Sequence, residues 1–166
     1  EHVANPLRAL REWKRVLKEN GLLMLVLPHK DGTFDWRRPP TPLSHMMEDD
    51  KHAINEDDLT HLPEILELHD LSKDPGAGTP EQFRERCLNN FVIRGMHHHV
   101  FDTKTALATV DCAGFNILRV DTLEPCHIII LAERSDGEID NQRFLSREAS
   151  HLKHSPFPSD RKLVID

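Results

Sequence analysis

A chain of 166 residues holds one domain's worth of sequence, enough to bury about two thirds of the surface its unfolded form exposes. A formal net charge of -7 with 30% charged residues argues against a general nucleic-acid binder, because neutralising phosphates needs a surplus of Lys and Arg on one face. The longest apolar run, Leu22 to Leu27, falls far short of the roughly twenty residues that span a bilayer, and no basic-then-apolar leader opens the chain, so a cytoplasmic protein without a membrane partner is expected.

Three cysteines, Cys87, Cys112 and Cys126, make an odd number without C-x-x-C spacing. This predicts reduced thiols rather than a disulfide framework or a thiolate zinc knuckle. The first residue, Glu1, leads directly into structured sequence, and the expectation is a chain cut from something longer.

Asn5-Pro6 reads as a helix start, with Asn as cap and Pro at the first helical position. Leu7, Leu10, Trp13 or Lys14, and Leu17 then recur at helical spacing, opposite Arg8, Arg11, Arg15 and Lys18. Asn20-Gly21 supplies the left-handed stop. Leu22-Leu23-Met24-Leu25-Val26-Leu27 is apolar on both faces, which predicts a central strand covered by helices on both sides.

Residues 29–102 read as an inserted, mostly helical cap. Thr41-Pro42 starts one helix, "PLSHMMEDDKHA", and Asn55 to Asp70 contains another, interrupted at Pro63. Thr79-Pro80-Glu81-Gln82 is a capping box that opens a third, with Phe83, Cys87, Phe91 and Arg94 along one side before Gly95. Asp102 or Thr103 caps a helix through Val110 that closes at Gly114, and "FNILRVDT" and "HIIILAER" follow as strands. Beyond Arg134 the pattern decays: a turn at Ser135-Asp136-Gly137, a loose helix between Asn141 and Lys153, then "HSPFPSDRK", rich in Pro and Ser with little to bury.

The order of elements is α/β, with strands at about 22–27, 115–121 and 127–133. Residues carry a resemblance here. "EHVANPLRALREWKRVLKENGLLMLVLP" is similar to the middle of class I S-adenosylmethionine-dependent methyltransferases, where Glu-His follows the fourth strand and "VLKPGG" leads into the fifth; Glu19-Asn20 stand at the Pro-Gly and Gly21 is kept. "ALATVDCAGFNILRVDTLEPCHIIILAER" resembles that family's last helix and its sixth and seventh strands, the seventh antiparallel to the others.

The resemblance implies the C-terminal half of a Rossmann-like methyltransferase: residues 1–28 and 103–134 as the half-domain, 29–102 as the cap, and 135–166 as a partly irregular extension. It implies S-adenosylmethionine as cofactor, a small-molecule acceptor, and Glu1 and His2 near the place where the two meet. The family's glycine-rich turn has no counterpart here, since no G-x-G-x-G occurs, so this segment alone is expected to be inactive. Its partner is either the missing N-terminal half or a second copy, because a half sheet exposes a strand edge.

Eight histidines fall in the cap: His29, His45, His52, His61, His69, His97, His98 and His99. On a helix His45, Asp49 and His52 share one face, and on an extended "MHHHVF" His97 and His99 point to one side. Two such pairs facing each other make an all-nitrogen-and-oxygen site for a divalent metal. Without metal, His29, His97 and His99 are candidates for the base that takes the acceptor's proton. Asp35, Arg37 and Arg38, beside Phe34 and Trp36, are candidates for gripping the substrate, as paired arginines grip a carboxylate or phosphate. The competing reading is a non-catalytic or metal-binding module derived from the same fold.

Overall fold

Asn5 starts the first helix as its sequence predicts: its side chain accepts a hydrogen bond of 2.9 Å from the Arg8 amide, and Pro6 follows at the first position. The computed structural model describes residues 1–165; residue 166, the last of the predicted extension, lies outside them. Helix α1 (Pro6–Val16) buries Leu7 and Leu10, and Asn20, at φ 59°, turns the chain in the left-handed region. Strand β1 (Leu22–Pro28) follows.

A 3-10 turn at Lys30–Gly32 opens the cap, which holds α2 (Leu43–Lys51), α3 (Leu62–Leu68), α4 (Pro80–Leu88) and the single turn α5 (Asn90–Ile93). Both bonds of the Thr79/Gln82 capping box are formed at the start of α4. The Asp102 carboxylate caps α6 (Thr103–Cys112) through the Thr105 amide at 2.7 Å. Gly114, at φ 79°, makes the turn into β2 (Phe115–Leu123), and β3 (His127–Arg134) returns beside it. The chain ends in the short helices α7 (Gln142–Leu145) and α8 (Ser150–Lys153) and in α9 (Pro158–Ile165).

The three strands form one sheet in the order β1-β3-β2, with β3 antiparallel to both neighbours. Leu23, Leu25 and Leu27 stand opposite Ala132, Ile130 and Ile128 on the inner face. These residues join Leu7, Leu10, Ala106, Leu107, Val110, Phe115 and Ile117 in the main core. A second, smaller core lies within the cap, where Ile65, Ala77, Phe83, Cys87 and Met96 pack together.

Three expectations are corrected. β1 is an edge strand rather than a central one: it pairs only with β3 among the described residues, and Leu22, Met24 and Val26 on its outer face are 58%, 71% and 45% exposed. The third cap helix stops at Leu88, so Phe91 lies off the buried stripe of Phe83 and Cys87 and is exposed; Arg94 takes a left-handed conformation that ends the following turn. The "HSPFPSDRK" tail is anchored rather than loose, since Ser155, Phe157 and Asp160 lie inside while His154, Pro158, Arg161 and Lys162 stay exposed. Asp160 is buried because it bonds His29 and Thr103 far back in the chain, and the Ser155 hydroxyl donates to Asp160 in turn.

Gly32 is needed where the cap leaves the sheet. A Cβ there would lie 1.8 Å from the Pro125 carbonyl oxygen and 2.7 Å from Cys126 Cβ, in the turn between β2 and β3. Backbone cannot move aside as a flexible side chain can. Gly32→Ala is therefore expected to lower stability by about 1–3 kcal/mol or more, the usual range for overpacking, measured by denaturant unfolding; unchanged stability would show that the two turns separate freely.

Candidate functional site

The segment 97–100 is the wall from which the cap is built. Thr41 Oγ1 accepts from the Val100 amide at 3.0 Å and the Thr41 amide donates to the Val100 carbonyl at 2.9 Å, tying the start of α2 to it. His97, His98 and His99 are all buried. Each goes to a different partner.

His97 Nδ1 lies 2.7 Å from Asp35 Oδ2. Arg38, 1% exposed, reaches the same carboxylate through Nη1 at 3.0 Å, and donates to the His97 and His98 carbonyls at 2.9 and 3.2 Å and to Glu64 at 2.8 Å. Burial by itself would raise the Asp35 carboxyl, but the His97 imidazole and the Arg38 guanidinium hold it below its ordinary value. Asp35 is thus a carboxylate. Its bond to Nδ1 sets the His97 tautomer, leaving Nε2 as the basic nitrogen. The His97 ring packs against Phe34 at 4.9 Å and edge-on against His2 at 4.7 Å.

A second cluster is built on the same segment through His99. Ligand atoms of His45, Asp49, His61 and His99 all fall within 4.8 Å of one another. His45 Nε2 stands 3.1 Å from His61 Nε2, and Asp49 Oδ2 stands 3.4 Å from both His45 Nε2 and His99 Nε2. Asp49 sits one helical turn after His45 on α2, which brings the two to one face. Burial raises the Asp49 carboxyl, against the pull of His45 and His61. The same burial lowers His61, helped by His45, and pushes His99 down to about 3 and His98 down to about 4. Burial thus favours the uncharged form of His61, His98 and His99, which offers a lone pair.

The remaining candidates are scattered. His29 is fully buried: its Nδ1 accepts from the Asp31 amide, its Nε2 bonds Asp160 at 3.1 Å, and its ring stacks on Phe157 at 4.0 Å. With both nitrogens engaged inside the protein it has no path to a substrate proton, so the expectation of a base at His29 is corrected to a structural role. Arg38 is corrected in the same sense, because its guanidinium is buried and directed to the cap's own groups. Arg37 lies at the surface, over the Trp36 ring at 5.0 Å and 3.6 Å from Asp70. His52, 57% exposed, faces Glu48 and stands apart from the His45 cluster. Glu1 lines an apolar cleft of about 170 Å³ beside β1, together with Val3, Leu10, Trp13, Val26 and Phe101.

The sequence pattern missed His61 and Asp160. His61 reaches the cluster from an irregular stretch before α3, where no periodicity predicts a direction. Asp160 accepts from Thr103 and Ser155 hydroxyls at 2.6 Å each, contacts that no local pattern encodes. No family model, curated protein or solved structure matches the chain. No helix of the described residues is long and apolar enough to cross a membrane.

Proposed function

We propose that this chain is the C-terminal half of a class I S-adenosylmethionine-dependent methyltransferase, with the cap covering the pocket of a small-molecule acceptor. The observation that carries the reading is the sheet. β1 follows the helix and the Asn20-Gly21 turn directly, and the last strand, β3, runs antiparallel to both others, the arrangement that the resemblance of these segments implies. The free edge and exposed outer face of β1 support it, since a long apolar edge strand is otherwise a site of unwanted pairing.

S-adenosylmethionine supplies an electrophilic sulfonium methyl when bound. Of this chain, Glu1 in the apolar cleft and His2 beside His97 are the contacts offered to it; the glycine-rich turn is not among these residues. The chain's own chemistry is the handling of the acceptor's proton. Asp35 orients His97 through Nδ1, and His97 Nε2 takes the proton as the acceptor attacks. Arg38 fixes Asp35 and the 97–98 backbone, so the base is held before the acceptor arrives.

The test is calorimetric titration of S-adenosylmethionine into this chain and into a form extended upstream. Binding is expected only in the extended form. There, His97→Ala should lower kcat for methyl transfer by about 10²- to 10⁴-fold, the range for a general base, with KM little changed. Absence of cofactor binding by both forms would sink the reading, and full activity of His97→Ala would remove the base from it.

A further inference from the structure

We propose that His45, Asp49, His61 and His99 form a structural site for a divalent cation of the zinc type, which cross-links three segments of the cap. The inference stands apart from the methyltransferase reading, and its test uses neither cofactor nor acceptor.

Geometry is the first argument. Tetrahedral zinc with bonds of about 2.0–2.1 Å to nitrogen and oxygen sets its ligand atoms roughly 3.3 Å apart. The separations here are 3.1 Å between His45 and His61, 3.4 Å between His45 and Asp49, and 3.4 Å between Asp49 and His99. Three of the six edges thus match such a tetrahedron and the other three lie within 4.8 Å, among groups from α2, from the stretch before α3 and from the 97–100 segment.

The second argument is what the groups lack. Asp49 Oδ2 is buried and receives no hydrogen bond, although two imidazole nitrogens stand 3.4 Å away. His99 enters the site through Nε2, which also lies 3.0 Å from the Ala4 carbonyl; ligation places the ring proton on the buried Nδ1. A buried carboxylate oxygen left without a partner is costly in free energy. A cation at the centre satisfies Asp49 outright. It also takes the place of the one proton that His45 and His61, with Nε2 atoms 3.1 Å apart, share in a hydrogen bond without it.

Chemistry selects the ion. Three imidazoles and one carboxylate suit zinc and its first-row neighbours, and the absence of thiolates from the set excludes a preference for soft cations. Four protein ligands close the coordination sphere, which is the arrangement of a structural site rather than a catalytic one with an open position. Glu48 and His52 face each other at the surface of α2 and take no part.

The experiment is calorimetric titration of Zn²⁺ into the chelator-stripped protein, followed by Co²⁺ substitution to read the geometry from its visible spectrum. One equivalent of Zn²⁺ is expected, with a tetrahedral Co²⁺ spectrum and a rise in melting temperature on loading. His45→Ala and His61→Ala, both at partly exposed positions that tolerate truncation, should each weaken binding by about 100-fold or more, beyond what loss of a supporting group outside the ligand set causes. His52→Ala should bind as the parent does. A folded protein that shows no saturable Zn²⁺ binding would overturn the site, and so would undiminished affinity in the His45→Ala/His61→Ala double variant.

Discussion

Asp160→Ala is expected to lower stability by about 3–5 kcal/mol, the cost of breaking a buried charged network by removing one partner. Asp160 is fully buried and stands at the junction of the sheet, α6 and the C-terminal tail. Its carboxylate accepts from the Thr103 hydroxyl and the Ser155 hydroxyl at 2.6 Å each, from the Thr103 amide at 3.3 Å, and bonds His29 Nε2 at 3.1 Å. Alanine strands all of these groups in the interior. For a chain of this size the loss corresponds to a fall in melting temperature of roughly 10 °C, read by circular dichroism on heating. A change below about 1 kcal/mol would mean that the tail detaches readily and that water satisfies the freed groups.

The same residue predicts a pH dependence. Burial would raise the Asp160 carboxyl, but His29, Ser155 and Thr103 together hold it below its ordinary value. A carboxyl depressed in the folded state binds fewer protons there than in the unfolded chain, where the value is about 3.9. Its stabilisation is therefore complete above that value and is lost as pH falls through the folded one. Asp35 shifts in the same direction and adds to the loss in the same window. Asp160→Asn, which removes the titration and keeps the volume, should flatten the stability curve below about pH 4 and leave the part that Asp35 contributes.

Arg38 carries the second large effect. Its side chain is 1% exposed and bridges two carboxylates and two backbone carbonyls. Arg38→Met keeps the apolar stem but strands Asp35 and the carbonyls of His97 and His98, at an expected cost of about 3–5 kcal/mol. Arg38→Lys should recover little of it, because a point ammonium cannot reach groups arranged for a planar fork. The loss is expected to be local. Amide hydrogen exchange should rise first in the cap around residues 97–100, while β3, whose residues Ile128, Ile130 and Ala132 lie in the main core, stays protected. Full stability of Arg38→Lys would show that charge alone, without the fork geometry, holds this segment.

Much of the fold was legible because its signals are local. Asn5-Pro6, the Thr79/Gln82 box, Asp102 before α6 and Gly114 after it each act within a few residues, through hydrogen bonds or φ preferences that the neighbouring sequence specifies. The three strands lie where the apolar runs put them, at 22–28, 115–123 and 127–134. What an apolar run leaves open is whether its second face is covered. Leu22, Met24 and Val26 read as buried in sequence and are exposed in the fold, because coverage depends on what lies beside the strand.

The site was legible only in parts. The i, i+4 spacing of His45 and Asp49 on α2 brings them together as a helix requires, and the histidines of "MHHHVF" do supply a third member of the cluster, His99. His52 shares their helix but sits at its end and turns to Glu48. His61 joins from a stretch without regular structure. Arg38 and His29 looked available for chemistry as residue types, yet their partners lie up to 60 and 131 positions along the chain. The sequence by itself determined the caps, the turns, the strands and one helical face, since those depend on dihedral preference and short-range hydrogen bonds. Only the tertiary structure decided which polar groups are buried together, because a desolvated charge or imidazole must be satisfied by whatever packing brings near it, and that is a property of the whole chain.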